Sequence, residues 1–482
     1  MKPHLDLLDA DLVRRVLDEA FTILGGTGAR VQSEAARTLL TSRGAPADGE
    51  VIRFPEALIR EALATAPRSF ALYDRAGHPA VRYGEGVVQF DPGSSCVHVL
   101  DPDTGQHRES RSADLVRLVQ VAEQLPAYSA QSTAMVCADV PEGIGDLYRL
   151  FLVLWHSDRP VVTGAFTAAS TGAMLDLLAA ESGSREAMSS RPRAIFDVCP
   201  SPPLHWSDFA ADSLLLLAAA RVPAEIVSVP LAGATAPVTL AGAVVQHAAE
   251  VLVGITIHQL AGPGAPLVWG GAPAIFDMRT GGAPMGAIET AMLDAACAQV
   301  GKSLGLPTHG YLCGGDAKLV DAQAGMETAF AALVGVLSGI DMISGAGMLD
   351  FLACHSVEKL VLDAEAIEMA KRFGRGIEPV GDSLAADLFS RIGLSGEFLK
   401  LKETRARFRD EQYLPGPVID RGSLRHWEEG GREDAFARAR RRVAELVAAY
   451  RRPDLGAERE RALLEVVRRE AARVGLTSLP GI

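Results

Sequence analysis

The chain has 482 residues, 48% of them hydrophobic and only 6% aromatic, which is enough for a sizeable core and favours packed α/β layers over an aromatic-rich β-sandwich. The 47 basic and 60 acidic side chains give a formal net charge of −13. The densest basic stretch, Arg438–Arg442, carries Ala439, Val443 and Leu446 on one apolar side, the register of a solvated helix, so the charge argues against nucleic acid as a partner.

Residues 1–85 read as an N-terminal α+β lead-in. Leu12, Val13, Val16, Leu17, Ala20, Phe21 and Leu24 recur at helical spacing until Gly25-Gly26 stops the run. Further helices are expected over Glu34–Arg43 and Pro55–Ala66. Asp74-Arg75-Ala76-Gly77 and Asp101–Gly105 carry hairpin-turn chemistry.

From there to about residue 385 short β-branched runs alternate with helical segments. The runs are Ala130–Cys137, Pro160–Ala165, Ala194–Cys199, Glu225–Pro230, Pro266–Gly271, Pro307–Leu312 and Asp341–Ser344. They start roughly 30 to 40 residues apart, leaving room for the helix that parallel strands need between them. An eighth strand is weakly signalled at Val87–Asp91 or Val97–Leu100. Eight strands would close a (β/α)8 TIM-type barrel; a doubly wound open sheet is the alternative. The strand ends favour the barrel. They read GAF, CPSPP, PLAGATAP, GGAP, CGGDAK and SGAG, a ring of small-residue loops, and no GxGxxG opens a helix. Residues 386–482 are charged and helical, a C-terminal appendage set on the barrel's outside or on another subunit.

The six cysteines are dispersed without a CxxC pair, as expected of reduced thiols rather than a disulfide framework. The first residues, MKPHLDLLDADLVRRVL, are charged and amphipathic, unlike a signal peptide. No apolar run reaches the roughly 20 residues of a membrane span. A cytoplasmic protein is expected.

Nucleophile chemistry finds little support, since neither a GxSxG elbow nor a P-loop is present. His309, Cys313, Cys354 and His355 are zinc-ligand types that could converge at strand ends, but their spacing does not assure it, and packing or pocket lining is the expected role, with no metal. Among the acids near the last strand ends, Asp321 reads as a helix cap. Asp316, just beyond a Gly-Gly strand end, is the better catalytic candidate. Glu250, in an otherwise apolar helix, should be held in a structural ion pair if buried. The few aromatics near strand ends, among them Phe90, Trp269, Tyr311 and Phe351, would with nearby acids suit a quaternary ammonium ligand.

The segment Gly315–Glu378, beginning GDAKLVDAQAGMETAF, resembles the trimethylamine methyltransferase family. Pro230–Gly254, Gly270–Gly286, Val99–Pro126 and the C-terminal FRDEQYLPGPVIDRGS match it in the same order, so the resemblance covers essentially the whole chain. It implies a barrel that passes a methyl group from an amine to the cob(I)alamin of a separate corrinoid protein, in a homo-oligomer. Family members with pyrrolysine carry it just ahead of the Asp-Ala-Lys element, where this chain has Gly314. Glycine cannot hold or activate a methylamine, so the resemblance points to a non-pyrrolysine member acting on a quaternary amine such as glycine betaine, whose leaving group departs neutral. Ser344 stands where relatives often carry a ring. The expected site has His309 and Asp316 as catalytic residues, with Phe90, Trp269, Tyr311, Gly314, Ser344 and Phe351 around the substrate. No DxHxxG cobalamin signature occurs, so the corrinoid is expected on its partner. The competing readings are a corrinoid-independent barrel enzyme for another methylated molecule and a non-catalytic betaine-binding protein.

Overall fold

The computed structural model describes residues 3–93 and 95–482. The lead-in begins with the helix Ala10–Gly26, capped by the Asp9 carboxylate on Leu12 N, with Val13, Val16, Ala20, Phe21 and Leu24 buried along one face. After the helices Glu34–Ser42 and Glu56–Thr65 the chain forms an antiparallel hairpin, Phe70–Tyr73 with Pro79–Tyr83, around the Asp74–Gly77 turn.

Of the strands that follow, eight make up two parallel sheets: β1 (Gln89–Pro92), β2 (Gln131–Ser132), β3 (Val161–Gly164), β4 (Ala194–Val198), β5 (Ala224–Ser228), β6 (Leu267–Gly271), β7 (His309–Tyr311) and β8 (Met342–Ala346). Each precedes a helix, from Ser112–Ala122 after β1 to Val357–Gly374 after β8. Strands β2 to β6 form one parallel sheet in chain order, and β7, β8 and β1 form a second. The sheets meet at both edges. Trp269 of β6 bridges Thr308 just ahead of β7, and Ser129 N donates to Phe90 O at 2.9 Å between β2 and β1. The weak eighth strand is therefore the Gln89–Pro92 run. His98–Leu100 pairs with His107–Glu109 in a hairpin elsewhere.

Alternation along the strands gives each sheet two faces. One packs on the helices. The other is shared by both sheets: Ala130, Val162, Ile195, Val268 and Met342 form one apolar cluster with Leu72, Val81 and Tyr83 of the hairpin. The hairpin thus closes the end from which the strands start.

The helix Leu240–Ala261 is the one described helix long and apolar enough to cross a membrane, a length the expectation of no such run missed. In the structure 83% of its apolar window is buried, so it is a core helix. Among the described residues its Glu250 has no ion-pair partner, contrary to expectation. Three uncharged donors satisfy it: Leu204 N at 2.8 Å, Ser228 Oγ at 2.5 Å and Gln246 Nε2 at 3.0 Å, and burial raises its pKa. In the C-terminal part, the helix Ala435–Ala449 buries Ala439, Val443 and Leu446, the side its sequence register predicts.

Candidate functional site

One step along the strands from the shared apolar cluster, five polar side chains lie on the same face: Asp91 of β1, Asp197 of β4, Glu225 of β5, His309 of β7 and Ser344 of β8. Their phase follows from period-2 alternation, since Ile195 and Met342, two residues before Asp197 and Ser344, belong to that cluster. Asp91, Glu225, His309 and Ser344 are buried, and Asp197 is half-buried with its Oδ1 out of solvent.

They fall into two groups, Asp91 with Ser344 and His309, and Asp197 with Glu225, and 3.8 Å separates His309 from Glu225. The Ser344 hydroxyl donates to Asp91 Oδ2 at 2.8 Å and lies 2.9 Å from His309 Nε2. With the hydroxyl proton on Asp91, His309 carries its proton on Nε2 and leaves Nδ1 as an acceptor. Tyr83 of the closing hairpin donates to Glu225 Oε1 at 2.8 Å, and Tyr311 donates to Asp197 Oδ2 at 3.3 Å. Asp197 and Glu225 also act on each other: their contact favours the charged form of Asp197 and the neutral form of Glu225.

The electrostatics are unusual for a core. Three carboxyls gather with no lysine or arginine paired to them among the described residues; the nearest cationic type is His309, 3.8 Å from Glu225. Burial lifts the pKa of Asp91 and Glu225 well above the ordinary carboxylate range, and Asp197 adds repulsion at Glu225. Burial also pushes Asp197 up to about 6 and His309 down to about 3. Asp91 Oδ1, Asp197 Oδ1, Glu225 Oε2 and His309 Nδ1 are buried without a hydrogen-bond partner. Unsatisfied buried acceptors are costly, and four in one layer call for a cationic or donor ligand.

Above this layer sits an apolar collar of Val227, Tyr311, Met285, Ala272 and Ala274, with Val229, Leu231 and Leu352 against it. The Tyr311 ring stands edge-on to His309, with centroids 5.2 Å apart. Cys199, two residues past Asp197, is exposed while the other five cysteines are buried, so the layer opens toward the C-terminal strand ends along β4.

The expected site residues divide into two groups. His309, Ser344 and Tyr311 come together in the layer and collar, and Gly314 lies at their rim. Phe90 and Trp269 do not belong there, which corrects the expectation. Each is out of phase with its inward neighbours and faces the helices: Phe90 lies beneath Lys371 Nζ, 5.4 Å from the ring centroid, and Trp269 donates from Nε1 to Cys297 O at 2.9 Å. Asp316 is also corrected. Both its oxygens accept backbone N–H groups, Met285 at 2.7 Å and Gly286 at 3.1 Å, so it ties two loops together outside the layer, and burial raises its pKa. Phe351 lies on the outer rim with one face under Lys318 Nζ at 3.9 Å. Asp321 caps the helix Ala322–Ser338 through Gln323 N and Ala324 N. Among the described residues no three His, Cys, Asp or Glu side chains converge as metal ligands. The sequence reading missed Asp91 and Asp197, whose signal was an acid inside the apolar runs QFDP and AIFDV, and took Glu225 only as a strand start.

A family model described as trimethylamine methyltransferase (MTTB) matches residues 1–475. The trimethylamine methyltransferase MttB of Desulfitobacterium hafniense is 27% identical over 432 residues, 89% of this chain and 86% of that protein. The glycine betaine methyltransferase of the same species is 26% identical over 475 residues, 98% of each chain. Among solved structures, the Methanosarcina barkeri monomethylamine methyltransferase MtmB superposes with a TM-score of 0.52 at 12% identity, covering 98% of this chain and 90% of that one, a likeness of fold. By a match that spans nearly its whole length, the chain belongs to the trimethylamine methyltransferase family.

Proposed function

We propose that this protein takes a methyl group from a quaternary amine of the betaine type and passes it to the cob(I)alamin of a separate corrinoid protein. The observation that carries this reading is the buried carboxyl layer without a paired cation beneath an apolar collar. A trimethylammonium group is a cation with an apolar surface, and it fits both at once: carboxylates for its charge, Tyr311 and aliphatic side chains for its methyls.

In this reading the eight strands close into a (β/α)8 barrel spanning residues 86–385. The site then lies at the C-terminal strand ends, where barrel enzymes carry their chemistry. Asp197 and Glu225 share one proton and present one net negative charge to the substrate. The collar excludes water and holds one N-methyl group toward the open end, so that placement supplies much of the rate. The carbon–nitrogen bond breaks with its electron pair left on nitrogen, and the tertiary amine departs neutral without a proton donor. The partner's corrinoid supplies the methyl acceptor when seated at this mouth. The fit to such a flat apolar group is supported by exposed Val238, Met278 and Phe351 around the strand ends, with Val238 and Met278 both against Gly233 and Phe351 against Gly282. Gly314 offers no side chain to activate trimethylamine.

A homo-oligomer belongs to the same reading. Ile377, Leu384, Leu394 and Leu399 are at least three-quarters exposed, and the helices Ala386–Ile392 and Lys402–Glu411 bury no side chain. Such helices need a packing partner to be stable.

Calorimetry with choline and its uncharged carbon isostere dimethylbutanol tests the cation site directly. The cation should bind on the order of 100-fold more tightly. Equal affinity would show that the carboxyl layer does not recognise charge and would refute the reading.

A further inference from the structure

Three consecutive residues past β8, Asp350 (φ 51°), Phe351 (φ 55°) and Leu352 (φ 69°), lie in the left-handed region, and none is glycine. Such a run is sterically strained and persists only where its surroundings over-determine it. Here they do. Asp350 N donates to Ala317 O at 3.0 Å, Phe351 N to Gly315 O at 3.1 Å and Ala353 N to Asp350 O at 3.0 Å. Lys318 pairs with Asp350 at 3.1 Å and covers the Phe351 ring. Every one of these anchors comes from the turn itself or from the loop that follows Gly314.

The product of this strained turn is the position of Leu352. Its Cδ2 occupies the space in which any side chain on Gly314 would begin. Leu352 also packs against the collar that contains Val227 and Tyr311, one alternation step above Glu225 and His309. It therefore roofs the carboxyl layer on the β7–β8 side. The glycine at 314 and the left-handed turn are two halves of one device, since the first leaves room that the second fills.

We infer that Leu352, held over Gly314 by this turn, is the residue that sets how large the N-substituents of the substrate can be. The inference rests on the carboxyl layer being a quaternary-ammonium site and adds the specificity element of that site. With Leu352 in place the proposed site takes compact trimethylammonium head groups. Shortening the side chain leaves more room over the layer, and a methyl on Gly314 would collide with Leu352 Cδ2 and displace it toward the layer.

The test is calorimetric titration of the wild type, Leu352→Ala and Gly314→Ala with tetramethylammonium and tetraethylammonium. The wild type should prefer tetramethylammonium. Leu352→Ala should move the affinity ratio toward tetraethylammonium by about tenfold or more, the usual worth of methylene-sized changes in an apolar pocket. Gly314→Ala should move it the opposite way. The two opposed shifts keep the test decisive if one variant folds poorly, because either ratio alone has a predicted sign. An unchanged ratio in the folded variants, or a uniform loss for both ions, overturns the role of Leu352 while leaving the cation site standing. Failure of the wild type to bind either ion overturns the cation site itself, and the inference with it.

Discussion

Asp197→Asn should weaken quaternary-ammonium binding on the order of 100-fold, about 2.7 kcal/mol. The carboxamide keeps the volume and can still accept from Tyr311, so the change removes charge rather than packing. Glu225→Gln should change binding much less, because it replaces the carboxyl whose pKa is raised furthest by a neutral carboxamide that can still accept from Tyr83. The effect has a pH signature. Burial raises the Asp197 carboxyl to about 6, so below that pH the layer is largely protonated and attracts a cation weakly. Binding of tetramethylammonium to the wild type should tighten as pH rises through about 6, and this dependence should flatten in Asp197→Asn. The stability consequence has the opposite sign. A carboxyl whose folded pKa is raised contributes stability below its unfolded value and loses it as pH rises through the folded one. The ligand-free protein is thus penalised as Asp197 ionises, and saturating cation offsets that penalty. The ligand-induced rise in melting temperature should therefore be larger at pH 7.5 than at pH 5. A rise that shrinks with pH would contradict the assignment.

The second large effect concerns the C-terminal ends of β7 and β8, where Gly314 and Gly345 meet. Lys359, on the helix Val357–Gly374, is buried and donates from Nζ to Asp363 Oδ2 at 2.6 Å, Thr328 Oγ1 at 2.8 Å and Cys313 O at 3.4 Å. Asp363 Oδ2 in turn accepts Gly347 N at 2.7 Å. One ion pair thus clamps the ends of β7 and β8 beside each other, where Gly345, at φ 115°, passes so close to Gly314 N that a Cβ would collide with it. Lys359→Met leaves the Asp363 carboxylate buried and unpaired. Removing one partner of such a pair costs about 3 to 5 kcal/mol, so thermal unfolding should shift down by several degrees. Adding Asp363→Leu should recover part of the loss, because it removes the orphaned charge but leaves Gly347 N without its acceptor. A single variant as stable as the wild type would show that the clamp contributes nothing.

Much of the architecture is legible in the sequence because strands buried on both faces read as unbroken apolar runs. Leu267–Gly271 reads so without a break and Ala194–Val198 and Ala224–Ser228 with one acid each, all close to their expected bounds. The strand β1 is the faintest because Gln89 and Asp91 interrupt it, and they interrupt it because they turn to the shared face. The same fact hid the site. An acid within a strand signals a ligand only once the phase of its neighbours is known, and that phase comes from tertiary packing. The aromatics misled for the same reason: Trp269 lies between Val268 and Gly270, so when Val268 points into the shared core the indole must point at the helices. Gly314, His309 and Ser344 could be found because each stands inside a recognisable run, HGYLCGGDAK or MISGAG. Leu352 could not, because nothing in a leucine's sequence context announces a left-handed backbone.

Anaerobic conversion of cob(I)alamin to methylcobalamin, followed spectrophotometrically, tests the central claim most directly. The panel is glycine betaine, carnitine, proline betaine, γ-butyrobetaine and trimethylamine, with the purified protein and free or protein-carried corrinoid. The account predicts methylcobalamin with at least one quaternary amine and none with trimethylamine. Turnover of trimethylamine with every quaternary amine inert would contradict it.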